Sequence, residues 1–173
     1  MSRKSAIKNI KGFNIVKIPD DIYTNIADEF NKNITVYENI FNKLRDLDIT
    51  IKVDIGDKSK WLAKIFKTDL KQLLYDYIAN YGVFNQIELR RYFKGHCLPP
   101  HIDNLNLTDN ETVLMINLLG KCTLCMSLND LVYKIKLSPG DMVVLQDDAR
   151  FKWSHSIENP TDKRTSIIIR NIQ

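Results

Sequence analysis

Near residue 86 the apolar residues of this chain change their spacing, and no other feature limits its fold as much. Upstream they recur every three or four positions, the period that gives a helix one oily face. Downstream they fall into short runs, several alternating with polar residues, as on a strand. Pro19-Asp20-Asp21 reads as a helix start, with Ile22, Ile26 and Phe30 four apart on one face. Val36, Ile40, Leu44 and Leu47 predict a second short helix. The third and clearest spans 61–78, where Leu62, Ile65, Phe66, Leu70, Leu73, Leu74, Tyr77 and Ile78 face away from Lys64, Lys67, Lys71 and Gln72.

Strand-like runs follow at 87–93, 112–119, 122–128, 131–137, 142–146 and 166–170. Asn129-Asp130 suits a hairpin turn, and Ser138-Pro139-Gly140-Asp141 a type II turn with Pro and Gly in the central positions. Many short strands behind a helical segment predict an α+β, mainly β protein: a double-stranded β-helix (jelly roll) braced by N-terminal helices. A length of 173 residues, 44% hydrophobic and 27% charged, suits one globular domain over 1–173. Helical support is expected over about 1–85 and the jelly-roll core over about 86–173.

The charge balance, 25 basic minus 21 acidic residues or +4, allows an acidic partner without requiring one. Cys97, Cys122 and Cys125 cannot all pair with one another, which points to a reducing compartment. The start of the chain leads into Ile-Lys-Asn-Ile-Lys rather than an apolar run, and no stretch reaches the roughly 20 apolar residues of a membrane span. The expectation is an intracellular protein, cytoplasmic or nuclear, monomeric and without a membrane partner.

His101-Ile102-Asp103 places an imidazole and a carboxylate two apart, on the same side of an extended chain. His155 lies in a second segment expected to be extended, 150–157. Two His and one carboxylate on one face of a metal leave three positions open, the arrangement of non-haem Fe(II) oxygenases. His-X-Asp alone is common by chance. The remaining segments add weight: Tyr92-Phe-Lys-Gly-His-Cys-Leu-Pro-Pro-His101-Ile-Asp103, Leu137-Ser-Pro-Gly-Asp141-Met-Val-Val-Leu, Ala149-Arg150-Phe-Lys-Trp153-Ser-His155-Ser-Ile157 and Arg164-Thr-Ser-Ile-Ile-Ile-Arg170. In this order they resemble the AlkB family of Fe(II)/2-oxoglutarate-dependent dioxygenases. The match spans residues 61–170 and looks most like the eukaryotic homologues, including the branch that hydroxylates a tRNA wobble uridine.

The resemblance implies the jelly-roll fold and a ligand set of His101, Asp103 and His155 for Fe(II), with 2-oxoglutarate and O2 as cosubstrates. It implies that Arg164 clamps the far carboxylate of 2-oxoglutarate, that Tyr92 gives it a hydrogen bond, and that Arg170 sits nearer the metal-bound carboxylate. Arginine suits such roles because its planar fork matches a carboxylate. Two expected asparagines are replaced, by Arg90 two before the tyrosine and by Ser166 two after the first arginine, although Ser166 keeps a hydroxyl for the cosubstrate. The acidic residue that reads a damaged base in bacterial members is here Leu105, and the region before Trp61 is short of the usual nucleotide lid.

Plainer readings stand beside these. Arg164 and Arg170 also suit surface positions flanking a buried Ile-Ile-Ile strand, and Tyr92 an ordinary half-buried strand position. Cys122-X-X-Cys125 suggests zinc, but residues three apart on a strand face opposite ways and only His96 and Cys97 remain as further ligands. Residues 104–111 read as a polar loop at the site mouth or a plain surface loop. Arg3, Lys4, Lys8 and Lys11 suit phosphates or solvent, and Trp61, Tyr81 and Phe151 are candidates for stacking on a base. The leading expectation is oxidation of nucleic acid (DNA, RNA or tRNA), by demethylation or hydroxylation. The alternatives are a protein-directed oxygenase without a nucleotide lid and an inactive jelly-roll binding module.

Overall fold

The computed structural model describes residues 3–32, 53–54, 74, 76–82, 84, 86–92, 97–103, 112–158 and 164–170. The helix expected around residues 36–47, most of the one at 61–78, and the loop 104–111 lie outside the described residues, as does His96.

Among the described residues α1 (Arg3–Asn9), β1 (Phe13–Lys17), α2 (Asp20–Lys32) and β2 (Val53–Asp54) precede the main β region, with helical backbone at 74 and 76–78 and a 3-10 turn at Ala79–Tyr81. Then come β3 (Gln86–Tyr92), β4 (Leu98–His101), β5 (Val113–Leu119), β6 (Cys122–Leu128), β7 (Leu131–Leu137) and β8 (Asp141–Leu145). A one-turn helix α3 (Asp147–Phe151) leads to β9 (Ser154–Glu158) and β10 (Arg164–Arg170). A six-stranded sheet runs β1-β8-β5-β10-β3-β2 and a four-stranded sheet β4-β9-β6-β7. Every strand pairing within them is antiparallel. This is the expected jelly roll, mainly β and braced by helices.

Strand alternation sorts the apolar residues into two cores. Leu114, Ile116 and Leu118 of β5, Met142 and Val144 of β8, and Ile167 and Ile169 of β10 meet Ile26, Ala27 and Phe30 of α2 and the helical residues Leu74 and Ile78. Burying Ile26 and Phe30, each 1% exposed, stabilises the fold by about 1.5–3 kcal/mol apiece. The opposite face of the same strands (Val113, Met115, Val143, Leu145, Ile168) meets Leu124, Met126, Tyr133, Ile135 and Ile157 of the smaller sheet. The functional candidates project into this second, inter-sheet space.

Two sequence expectations need correction, and one further strand was not among those expected. The N-terminal segment is not purely helical: β1 pairs with β8 at the edge of the larger sheet, and β2 pairs with β3. Residues 150–157 are not continuously extended, because Asp147 and Asp148 open a helix that runs to Phe151 before the strand begins at Ser154. Leu98–His101 is a strand despite its two prolines, which an edge position tolerates. The two turns form where expected. Asn129 has φ 52° between β6 and β7, and Asp141 N donates to Ser138 O across Gly140 at φ 81°.

One close approach fixes the corner between β8 and α3. Gly12 has φ +78°, and a Cβ there would lie 2.0 Å from the Gln146 carbonyl oxygen, whose own N–H donates to Gly12 O at 2.8 Å. Gly12→Ala therefore meets both left-handed backbone strain and a backbone clash. We expect a loss of at least about 2 kcal/mol, read as a lower midpoint in thermal or urea unfolding.

Candidate active site

Cross-strand pairing builds the site on the smaller sheet. His101 at the end of β4 lies opposite His155 of β9, and Asp103 follows two residues after β4 ends. Asp103 Oδ1 is 3.6 Å from His101 Nε2 and 3.8 Å from His155 Nε2, and the two rings are tilted with centroids 4.3 Å apart. Metal–ligand bonds of roughly 2 Å bring two atoms on one ion to about 4 Å or less, so both separations suit a shared ion. Among the described residues, these three form the one group of His, Cys, Asp and Glu close enough to hold a metal. His101 Nδ1 lies 2.9 Å from Pro99 O. A carbonyl only accepts, so Nδ1 keeps a proton in either state of the ring: the protonated ring also turns an Nε2–H toward Asp103, and the neutral ring leaves the Nε2 lone pair for a cation.

The local electrostatics keep two of the three groups ready for a cation. Burial pushes the Asp103 carboxyl up, but the hydrogen bond with His101 and the nearby charges of His155, Arg150 and His101 outweigh it and hold it well below the usual carboxylate range. Burial, helped by the charges of His101, Arg150 and Arg90, lowers His155 to about 4 against the pull of Asp103. His101 is raised, chiefly by its hydrogen bond to Asp103, so protons compete with a metal there first.

A pocket opens beside this group, lined by Asp103 and His155 with Arg90 and Tyr92 of β3. Its other walls are apolar: Leu98, Val113, Met115, Leu124, Val143, Leu145, Ile157 and Ile168. Arg164 lies behind two wall residues, with its guanidinium carbon 4.9 Å from the Tyr92 ring centre and Nη2 3.5 Å from Met115 Sδ. It is fully buried, which excludes the surface reading. Its Nε donates to Asn117 Oδ1 at 2.7 Å, and Asn117 in turn donates to Gly120 O at 2.7 Å. Two polar atoms at this end, Arg164 Nη1 and the Ser166 hydroxyl, are buried without a hydrogen-bond partner. Buried donors left this way are uncommon, and a guanidinium N–H and a hydroxyl are both groups that a carboxylate accepts from.

Arg170 stands apart from Arg164. Its Nη2 donates to Glu88 Oε2 at 2.8 Å, and the same buried carboxylate accepts from Arg90 Nε. Sequence reasoning overlooked Glu88 and Asn117, and it named Arg150 in the segment before His155 without giving it a role. The signal for Glu88 was a carboxylate at the two-residue spacing that puts it on one strand face with Arg90 and Tyr92. Of the stacking candidates, Phe151 is 40% exposed next to Arg150, Tyr81 packs against the helix-side core, and Trp61 lies outside the described residues. Cys122 faces the inter-sheet core and Cys125 does not, as expected of residues three apart on a strand. Both are free and buried, and neither joins the metal group.

No protein-family model matches the chain. Its fold is shared with a Pseudomonas putida prolyl-4-hydroxylase, at 15% identity and a TM-score of 0.57 over 96% of each chain. A Trichoplax adhaerens prolyl hydroxylase, solved with a peptide of hypoxia inducible factor, aligns at 12% identity and a TM-score of 0.58 over 97% of this chain and 86% of its own. The chain therefore shares the jelly-roll fold of these two hydroxylases. In sequence it is 31% identical over 91 residues to an RNA replication protein of Indian citrus ringspot virus, a stretch of 52% of this chain and 6% of that protein. No helix among the described residues is long and apolar enough to cross a membrane.

Proposed function

We propose that the chain is an AlkB-like Fe(II)/2-oxoglutarate-dependent dioxygenase that oxidises RNA. The observation that carries the oxygenase reading is the convergence of His101, Asp103 and His155 at one wall of a jelly-roll pocket. Two imidazoles and a carboxylate suit ferrous iron and leave positions for a chelating keto acid and dioxygen. The buried, partnerless Arg164 Nη1 and Ser166 hydroxyl fit the far carboxylate of that keto acid. When bound, these groups supply an oxidant for a substrate C–H bond, with succinate and CO2 as coproducts.

The chain's own residues orient and protect. His101, Asp103 and His155 would hold the iron, while Arg164, Ser166 and Tyr92 would anchor the keto acid. Asn117 fixes Arg164 through Nε and Met115 Sδ lies against Nη2, so Nη1 is left to meet a carboxylate. Glu88 holds Arg90 against the pocket and takes up Arg170. The apolar walls from Val113 to Ile168 exclude water, which strengthens each charge interaction inside.

The ordered motifs support a nucleic acid, and the viral RNA replication relative supports RNA among them. A protein-directed reading is favoured by one observation, the peptide-bound Trichoplax structure of the same fold. Purified protein with ferrous iron, ascorbate and 2-oxoglutarate separates them. We expect N-methylated RNA oligonucleotides to stimulate succinate formation and release formaldehyde, while proline-containing peptides do neither. A mass gain of one oxygen on peptide with no change to RNA would reverse the assignment.

A further inference from the structure

The arm that carries His101 and Asp103 is thinly fastened. Among the described residues β4 is an edge strand that pairs with β9 alone, and its register is irregular between Leu98 and His101. Pro99 and Pro100 in its middle have no N–H to donate, so the ladder cannot hold this stretch as it holds an ordinary strand. Asp103 lies beyond the end of the strand.

On its far side the arm meets α3. Arg150, 1% exposed, reaches out of that helix and donates from Nη1 to the backbone carbonyl of Asp103 at 3.1 Å. The helix itself is anchored: Ala149 N donates to Lys11 O at 2.9 Å, and Arg150 N to Gln146 O at 3.1 Å. Gln146 is locked against Gly12 by the close approach described above. A guanidinium on a helix fixed this firmly is a rigid support for an arm its own strand holds loosely.

We infer that Arg150 is a positioning residue that holds Asp103 where its carboxylate can share an ion with His101 and His155. The inference rests on the metal-centre reading above. Arg150 joins α3 to the ligand arm, and β9 with His155 follows three residues after the helix ends. One short segment therefore sets both sides of the site. A backbone carbonyl is a useful handle, because tethering it fixes the ligand's position and leaves both carboxylate oxygens for the cation.

The test is Co(II) binding to the protein without keto acid, followed by calorimetry and by the visible ligand-field spectrum, with Asp103→Ala as control. Wild type should bind Co(II) far more tightly than the control; equal binding would sink the metal reading itself. Arg150→Met should weaken Co(II) about 10–100-fold, the range for groups that orient a metal ligand, and alter the spectrum, while the metal-free melting temperature moves little. Arg150→Lys, whose amine is one bond short of the fork, covers the case in which the Met variant does not fold. It should lose at least about threefold, with partial return of the wild-type spectrum where both variants fold. Wild-type affinity and spectrum in a folded variant of either kind would overturn the role of Arg150, with the metal centre still standing.

Discussion

Asp103→Ala lowers the conversion of 2-oxoglutarate to succinate by more than about 100-fold, the upper end of what losing a group that merely orients a ligand costs. Asp103 is the one carboxylate in the group, and its Oδ1 faces the Nε2 atoms of both histidines at 3.6 and 3.8 Å. Without it two neutral imidazoles remain, which lack the hard anionic oxygen that suits a ferrous ion. Asp103→Asn keeps the shape and a carbonyl oxygen but removes the charge, so it should fall between wild type and the alanine variant. Succinate measured with iron, ascorbate and keto acid decides the matter, with far-UV circular dichroism confirming that each variant folds. Equal turnover in wild type and Asp103→Ala would remove iron from the site and with it the enzymatic reading.

What the sequence made legible was whatever repeats locally. The spacing of Ile22, Ile26 and Phe30 announced α2, and Pro139-Gly140 announced the turn into β8, because each depends on neighbours a few residues away. The ligand trio was legible through residue type and order. Its closeness in space was not, since it depends on β4 lying against β9. β1 was missed because its burial pattern, buried-exposed-buried, spans only Phe13 to Ile15 before the strand turns outward. β4 was missed because prolines argue against a strand unless it lies at an edge, and edges are a property of the finished sheet. The end of α3 was read as extended because residues 150–157 were taken as one segment with His155, whereas a helix of five residues is too short to show a 3.6-residue period. The partners that tune the site are long-range: Asn117 meets Arg164 and Arg150 meets Asp103 47 residues apart, and Glu88 meets Arg170 82 apart. No local pattern encodes such pairings; they follow from which strands and helices become neighbours.

Arg164→Ala should raise the dissociation constant for 2-oxoglutarate at least about 100-fold, while Co(II) affinity stays within about twofold. Two hydrogen bonds to a carboxylate contribute about 1.5–3 kcal/mol each, and every 1.4 kcal/mol is tenfold in affinity. Arg164 is fully buried, its Nε is held by Asn117, the Tyr92 ring lies 4.9 Å away, and its Nη1 has no partner. A buried cation is costly without an anion, so the site should gain most from a ligand that carries negative charge to this point. The sharper measurement compares 2-oxoglutarate with 2-oxobutanoate, which keeps the keto acid but lacks the far carboxylate. Wild type should prefer the dicarboxylate strongly and the variant barely at all. General damage to the pocket would weaken both acids together and leave their ratio unchanged, whereas loss of a specific clamp collapses the ratio. A variant that retained the wild-type preference would place the far carboxylate elsewhere, with Arg90, the guanidinium that lines the pocket wall, as the next residue to replace.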